Sequence, residues 1–66
     1  MRQYHFNDKV VNLSVVREYP EYAVLVDSGG AFYIDPSDGT DSVYRIEADE
    51  SSVLSVAEKW MEGFNG

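Results

Sequence analysis

No cysteine occurs among the 66 residues, which excludes disulfide staples and thiolate-bound metals. The same absence fits a reducing cytoplasm. His5 is the single histidine, and five lysines and arginines stand against twelve aspartates and glutamates. No apolar run approaches the ~18 residues of a membrane-spanning helix. The opening MRQYHFNDK also lacks the apolar core of a signal peptide. These absences predict a soluble, cytoplasmic protein with no membrane partner, folded as one small α+β domain over residues 1–66. A chain of this size buries only ~60% of the surface its unfolded form exposes, so its stability is marginal unless a partner helps.

What the chain does have is one segment whose structure is nearly dictated. At ~100° per residue, Val53, Leu54, Val56, Ala57, Trp60, Met61 and Phe64 fall within one arc of roughly 160°. Ser51, Ser52, Ser55, Glu58, Lys59 and Glu62 fill the other arc. Asp49 suits the N-cap, Ala48 and Val53 the two ends of a hydrophobic staple, and Gly63 a left-handed C-terminal stop. The prediction is a C-terminal amphipathic helix anchored chiefly by Trp60.

The rest of the chain must supply the surface on which that helix lies. Residues 3–7 (QYHFN) alternate, with Tyr4 and Phe6 on one face, and residues 10–18 alternate through Val11, Leu13 and Val15. Asn7-Asp8-Lys9 joins them as a hairpin, and Tyr19-Pro20-Glu21 ends the second strand. Residues 22–27 (YAVLVD) are almost continuously apolar and suit a strand covered on both sides, with no face assigned. Ser28-Gly29-Gly30 offers the positive φ of a tight turn into a fourth strand at 31–35. The polar loop DPSDGTD leads to a fifth strand at 42–48, with Tyr44, Ile46 and Ala48 on one face and Val43, Arg45 and Glu47 on the other. Short connections throughout favour an antiparallel meander of four to five strands with the helix packed across one face.

The net charge of −7 is unevenly placed. Residues 1–26 are neutral overall, whereas residues 27–66 carry nine acids against Arg45 and Lys59. Such a field repels nucleic acid and attracts basic surfaces. Solubility and adaptation to high salt explain the same acidity without any partner. Several carboxylates have structural reasons: Asp49 and Glu50 sit at a helix N-terminus, and Asp8, Asp27 and Asp38 sit in turns. Others have none. Glu58 and Glu62 lie one turn apart on the exposed helix face, and Glu62 opposes the dipole. Asp35, Asp41 and Glu47 surround one hairpin with only Arg45 nearby, and Glu18 and Glu21 flank Pro20.

Catalytic chemistry finds little support. His5 is a lone strand histidine, which is usually a surface residue, and no serine sits in a nucleophile elbow. Gly29-Gly30 lacks the lysine and helix of a phosphate loop. An EF-hand with Gly39 in its glycine position would start at Ile34 and need an acid where Arg45 stands, so it fails at both ends. A weak calcium or magnesium site at Asp35, Asp38 and Asp41 competes with a plain polar loop, and the loop is preferred. Neither a cofactor nor direct nucleic-acid contact is expected.

In size, acidity, lack of a catalytic set and strands-then-helix layout, the chain resembles small phage-encoded inhibitors of the anti-CRISPR and anti-restriction type, some of which imitate DNA. The resemblance implies a non-enzymatic protein in the host cytoplasm, monomer or homodimer, that occupies the basic nucleic-acid channel of a defence nuclease complex. Glu18, Glu21, Asp35, Asp41, Glu47, Glu58 and Glu62 would then stand in for phosphates, with Tyr33 supplying apolar contact. A different class of reading is an interaction module whose acids only keep it soluble. Its contact surface would be apolar, on the sheet face carrying Tyr33 and Val43. A third is a small metal-dependent or hydrolytic enzyme.

Overall fold

The computed structural model of the protein describes residues 2–6, 8–36 and 42–64. Its strands are β1 (Arg2–Phe6), β2 (Lys9–Glu18), β3 (Tyr22–Val26), β4 (Phe32–Pro36) and β5 (Tyr44–Ile46), followed by α1 (Val53–Glu62). Spatial order follows chain order and each neighbouring pair is antiparallel. The fold is the α+β meander with one C-terminal helix. Within the loop 35–41, residues 37–41 lie outside the described residues.

Local chemistry sets the turns. Asp8 takes φ 68° between the paired Phe6 and Lys9, a conformation aspartate tolerates better than most residues. Between β3 and β4, Gly30 takes φ 91° while the Asp27 carboxylate accepts the backbone N–H groups of Gly29 at 2.8 Å and Ala31 at 2.9 Å. The apolar run in β3 is resolved by pairing. Tyr22, Val24 and Val26 join the helix-side cluster with Phe32, Ile34 and Ile46, against which Val53 and Ala57 are buried. Leu25 faces the other way and is buried with Tyr4 and Leu13.

That second cluster exists because β2 serves two partners with different halves. Its residues Lys9 to Leu13 pair with β1, and Ser14 to Glu18 pair with β3. An irregularity between Val15 and Arg17 adds Val16 as an unpaired residue, which bends the strand and increases its twist. In a flat sheet, β1 and β4 would be three strand spacings, ~14 Å, apart. Instead the Tyr4 hydroxyl donates to the Asp35 carboxylate at 2.6 Å. The β1–β2 hairpin therefore curls over the sheet face opposite the helix, packing Val11 and Leu13 near Tyr33 and Val43.

The helix departs from expectation at both ends. Asp49 does accept the Ser52 N–H at 3.0 Å, and its own N–H reaches the Ser52 hydroxyl at 3.4 Å. This reciprocal pair closes a turn over residues 49–52, so regular α1 begins only at Val53, with Val56 N–H bonding to Ser52. Gly63 is not left-handed: φ is −87° and ψ −6°. The last turn tightens instead, with Gly63 N–H on the Trp60 carbonyl at 3.2 Å and Phe64 N–H on Met61 at 3.1 Å. Trp60 is half-buried rather than the chief anchor, a role taken by the buried Val53 and Ala57, and Leu54 is exposed.

A β-carbon at Gly63 would meet only the Trp60 carbonyl, at an ordinary 3.7 Å. Gly63→Ala should therefore raise stability by about 0.4–1 kcal/mol through the unfolded state, read as a higher urea midpoint at unchanged slope. Leu13→Ala, emptying the wholly buried corner of β2, should cost about 2–5 kcal/mol in the same assay.

Candidate functional site

The carboxylates divide into those the fold uses and those it leaves to solvent. Asp35 is half-buried, accepting from Tyr4 and lying 3.5 Å from the Arg2 guanidinium. Arg2 also pairs with Glu18 at 2.7 Å. These groups form a clasp that ties the start of β1 to β2 and β4. Burial, and then the bond to Asp35, raise the Tyr4 hydroxyl above its ordinary range. Asp35 thus has a tyrosine and an arginine for partners, where the sequence offered only Arg45. No local pattern marks that contact, since Tyr4 and Asp35 are 31 positions apart.

Glu18 and Glu21 are separated by the turn at Pro20. Glu18 joins the clasp, whereas Glu21 lies beside Tyr22 on the helix side. Glu58 of α1 acts electrostatically on the same Tyr22 hydroxyl. Burial acts first on the Tyr22 hydroxyl, then Tyr19, Glu58 and Glu21, and together they hold it above its ordinary range. Two acids far apart in sequence therefore converge on one tyrosine, with Glu62 one helical turn beyond, and all three are exposed. The Tyr19 ring lies 4.7 Å from that of Tyr22, and the Arg17 guanidinium sits 5.6 Å from the Tyr19 centroid. Among the described residues, Arg2 makes the only ion pairs, so Glu21, Glu58 and Glu62 are not engaged in one.

Glu47 is exposed just past β5, away from this group, and Asp41 lies outside the described residues. Tyr33 is half-buried against the Tyr4–Leu13–Leu25 cluster, and its hydroxyl donates to Asp27 at 3.0 Å. The sheet face carrying Tyr33 and Val43 is covered from within by the β1–β2 hairpin. His5 is exposed. No three histidine, aspartate or glutamate side chains converge as metal ligands among the described residues. No described helix is long and apolar enough to cross a membrane.

Two features had no clear signal in the sequence. Tyr44, Trp60 and Phe64 form an aromatic group beside β5, with Trp60 stacked on Phe64 at 5.1 Å and tilted against Tyr44 at 5.2 Å. On the other side of the helix, an open groove of about 640 Å³ runs between α1 and β2, lined by Val16, Val26, Phe32, Val53 and Leu54. No protein-family profile, curated protein or solved structure matches this chain.

Asp27 and Asp49 carry the acid sensitivity of the fold. Backbone N–H groups, that of Ala31 foremost, with the Tyr33 hydroxyl, lower the Asp27 carboxyl below its ordinary range. The hydroxyls of Ser51 and Ser52 do the same for Asp49. A carboxyl lowered in the folded state binds protons more readily when unfolded, so its contribution is complete above the unfolded value of ~3.9. It is lost as pH falls through the lowered folded value. Stability should therefore decline below about pH 4, and Asp27→Asn, which keeps one acceptor oxygen but cannot ionise, should flatten that decline in urea titrations.

Proposed function

We propose that this protein is a non-enzymatic acidic inhibitor that binds the basic nucleic-acid-binding surface of a defence nuclease complex and blocks DNA entry, in the anti-CRISPR manner. The observation that carries the reading is that Glu21, Glu58 and Glu62 are all exposed and free of internal ion pairs among the described residues, with Glu21 and Glu58 both acting on Tyr22. Carboxylates held on a β-turn and a helix are fixed relative to one another. They can therefore pair with several lysines or arginines at once without first ordering a flexible tail. A net charge of −7 steers such an encounter and repels nucleic acid itself.

Of the seven acids named from the sequence, Glu21, Glu58 and Glu62 suit this role best. Glu18 and Asp35 are engaged by Arg2 and Tyr4, which makes them structural first. Glu47 offers a separate charge at the far edge. The half-buried Tyr19 ring, packed on the buried Tyr22, supplies apolar contact beside the carboxylates.

Capture from bacterial lysate on the tagged protein tests the reading. A nucleic-acid-guided nuclease should be retained at low salt and released both by excess duplex DNA and by high salt. The double variant Glu58→Lys, Glu62→Lys should lose that capture by at least roughly tenfold while unfolding at a similar urea concentration, since both side chains are exposed. Capture indifferent to DNA, salt and charge reversal would mean that the acids serve solubility alone.

A further inference from the structure

The groove beside the helix is unusual in having an exposed apolar side chain on each wall. Val16, the extra residue of β2, is 41% exposed on one side, and Leu54 is 36% exposed on the other. Between them the floor is Val26, Phe32 and Val53, already packed into the helix-side core. Helix α1 sits over β4 and stacks Trp60 toward β5, which leaves the β2 side of that sheet face without cover. A volume of about 640 Å³ is within the range of sites that hold several side-chain-sized groups.

The rim is charged with one sign. Asp49 and Glu50 line the groove at the helix N-terminal end. One turn past Leu54 on the same helix, beyond the groove lining, stands the exposed Glu58. A second copy of this chain would bring a further −7 against that rim, so self-association there is electrostatically opposed. A partner whose apolar side chain is flanked by lysine or arginine meets both demands at once.

We propose that this groove is the anchoring site for a protein partner, receiving one short segment in which a bulky apolar side chain is bracketed by basic residues. The inference rests on the partner-binding reading above and deepens it. The carboxylates of the rim select and orient the segment, and Val16 and Leu54 close on its apolar side chain. Binding of that kind loses affinity in salt but is not abolished by it, because the apolar term survives screening.

The test uses the whole protein and a synthetic probe. The probe is a short amphipathic peptide with leucines one helical turn apart and lysines on either side. Two controls carry glutamate for lysine, or serine for leucine. Titration of the isotope-labelled protein should shift the amide resonances of Val16, Val26, Phe32 and Leu54 with the lysine–leucine peptide, and with neither control. Leu54→Ser and Val16→Ser change no charge and remove exposed side chains, so both variants should fold. Each should weaken the peptide by roughly tenfold. Shifts confined to the Tyr44–Trp60–Phe64 surface, no shifts at all, or groove shifts that follow protein concentration alone would overturn the proposal, the last assigning the groove to a second copy. Peptide binding insensitive to both serine variants would also overturn it, while leaving the carboxylate reading intact. Groove binding that persists in the Glu58→Lys, Glu62→Lys protein would uphold the anchor even if nuclease capture had failed.

Discussion

A sheet that is apolar on both faces has more to bury than one ten-residue helix can cover, and the architecture follows from that constraint. The helix takes one face through Val53 and Ala57. The other face carries Leu25, Tyr33 and Val43 and has no second helix to meet it. The chain covers it with its own first hairpin. For that to happen β2 must turn from one pairing partner to another within ten residues, and the wholly buried Leu13 sits at the turning point. The added residue at Val16 supplies further bend in the half that pairs with β3.

The same manoeuvre accounts for the polar clasp. Once β1 lies over β4, the Tyr4 hydroxyl and the Arg2 guanidinium arrive beside Asp35, and Glu18 completes the pairing. The bonds are partly solvent-exposed, so their weight in stability is modest, of order 1 kcal/mol each at most. Their larger effect is on specificity, since they fix where the hairpin lands. An acid that reads as free surface charge is thereby committed to the fold, which narrows the set left for recognition.

Coverage also explains what remains open. The helix is centred on β4 and stacks its Trp60 end toward β5, so the helix-side surface of β2 stays bare. Val16 projects there, on the same face as Ser14 opposite Val26, and Leu54 lines the groove from the helix. The acids Asp49 and Glu50 line this uncovered strip at the helix N-terminal end. Charge and exposed apolar surface thus lie side by side on one flank of the molecule. That is the combination expected where a basic partner docks with an apolar anchor.

Local rules were enough to determine much of this from the sequence. Alternation in β1, β2, β4 and β5, the aspartate and glycine turns, and the helical period from Val53 onward are all short-range signals, and the meander follows because each connection is short. That Tyr44 and Ile46 share one face of β5 was legible for the same reason, whereas Asp49, expected as the helix cap, closes a turn ahead of the helix and Ser52 takes the cap position. Three features were decided only in three dimensions. The curl of the β1–β2 hairpin depends on competition between two faces for one helix. The partnering of Asp35 depends on a contact 31 positions away. The action of Glu21 and Glu58 on the same Tyr22 depends on where the helix comes to rest on the sheet. Periodicity tells which side of an element is apolar, but not what will cover it. Coverage is a property of the whole packed chain, and it is coverage that separates the structural acids of this protein from the free ones.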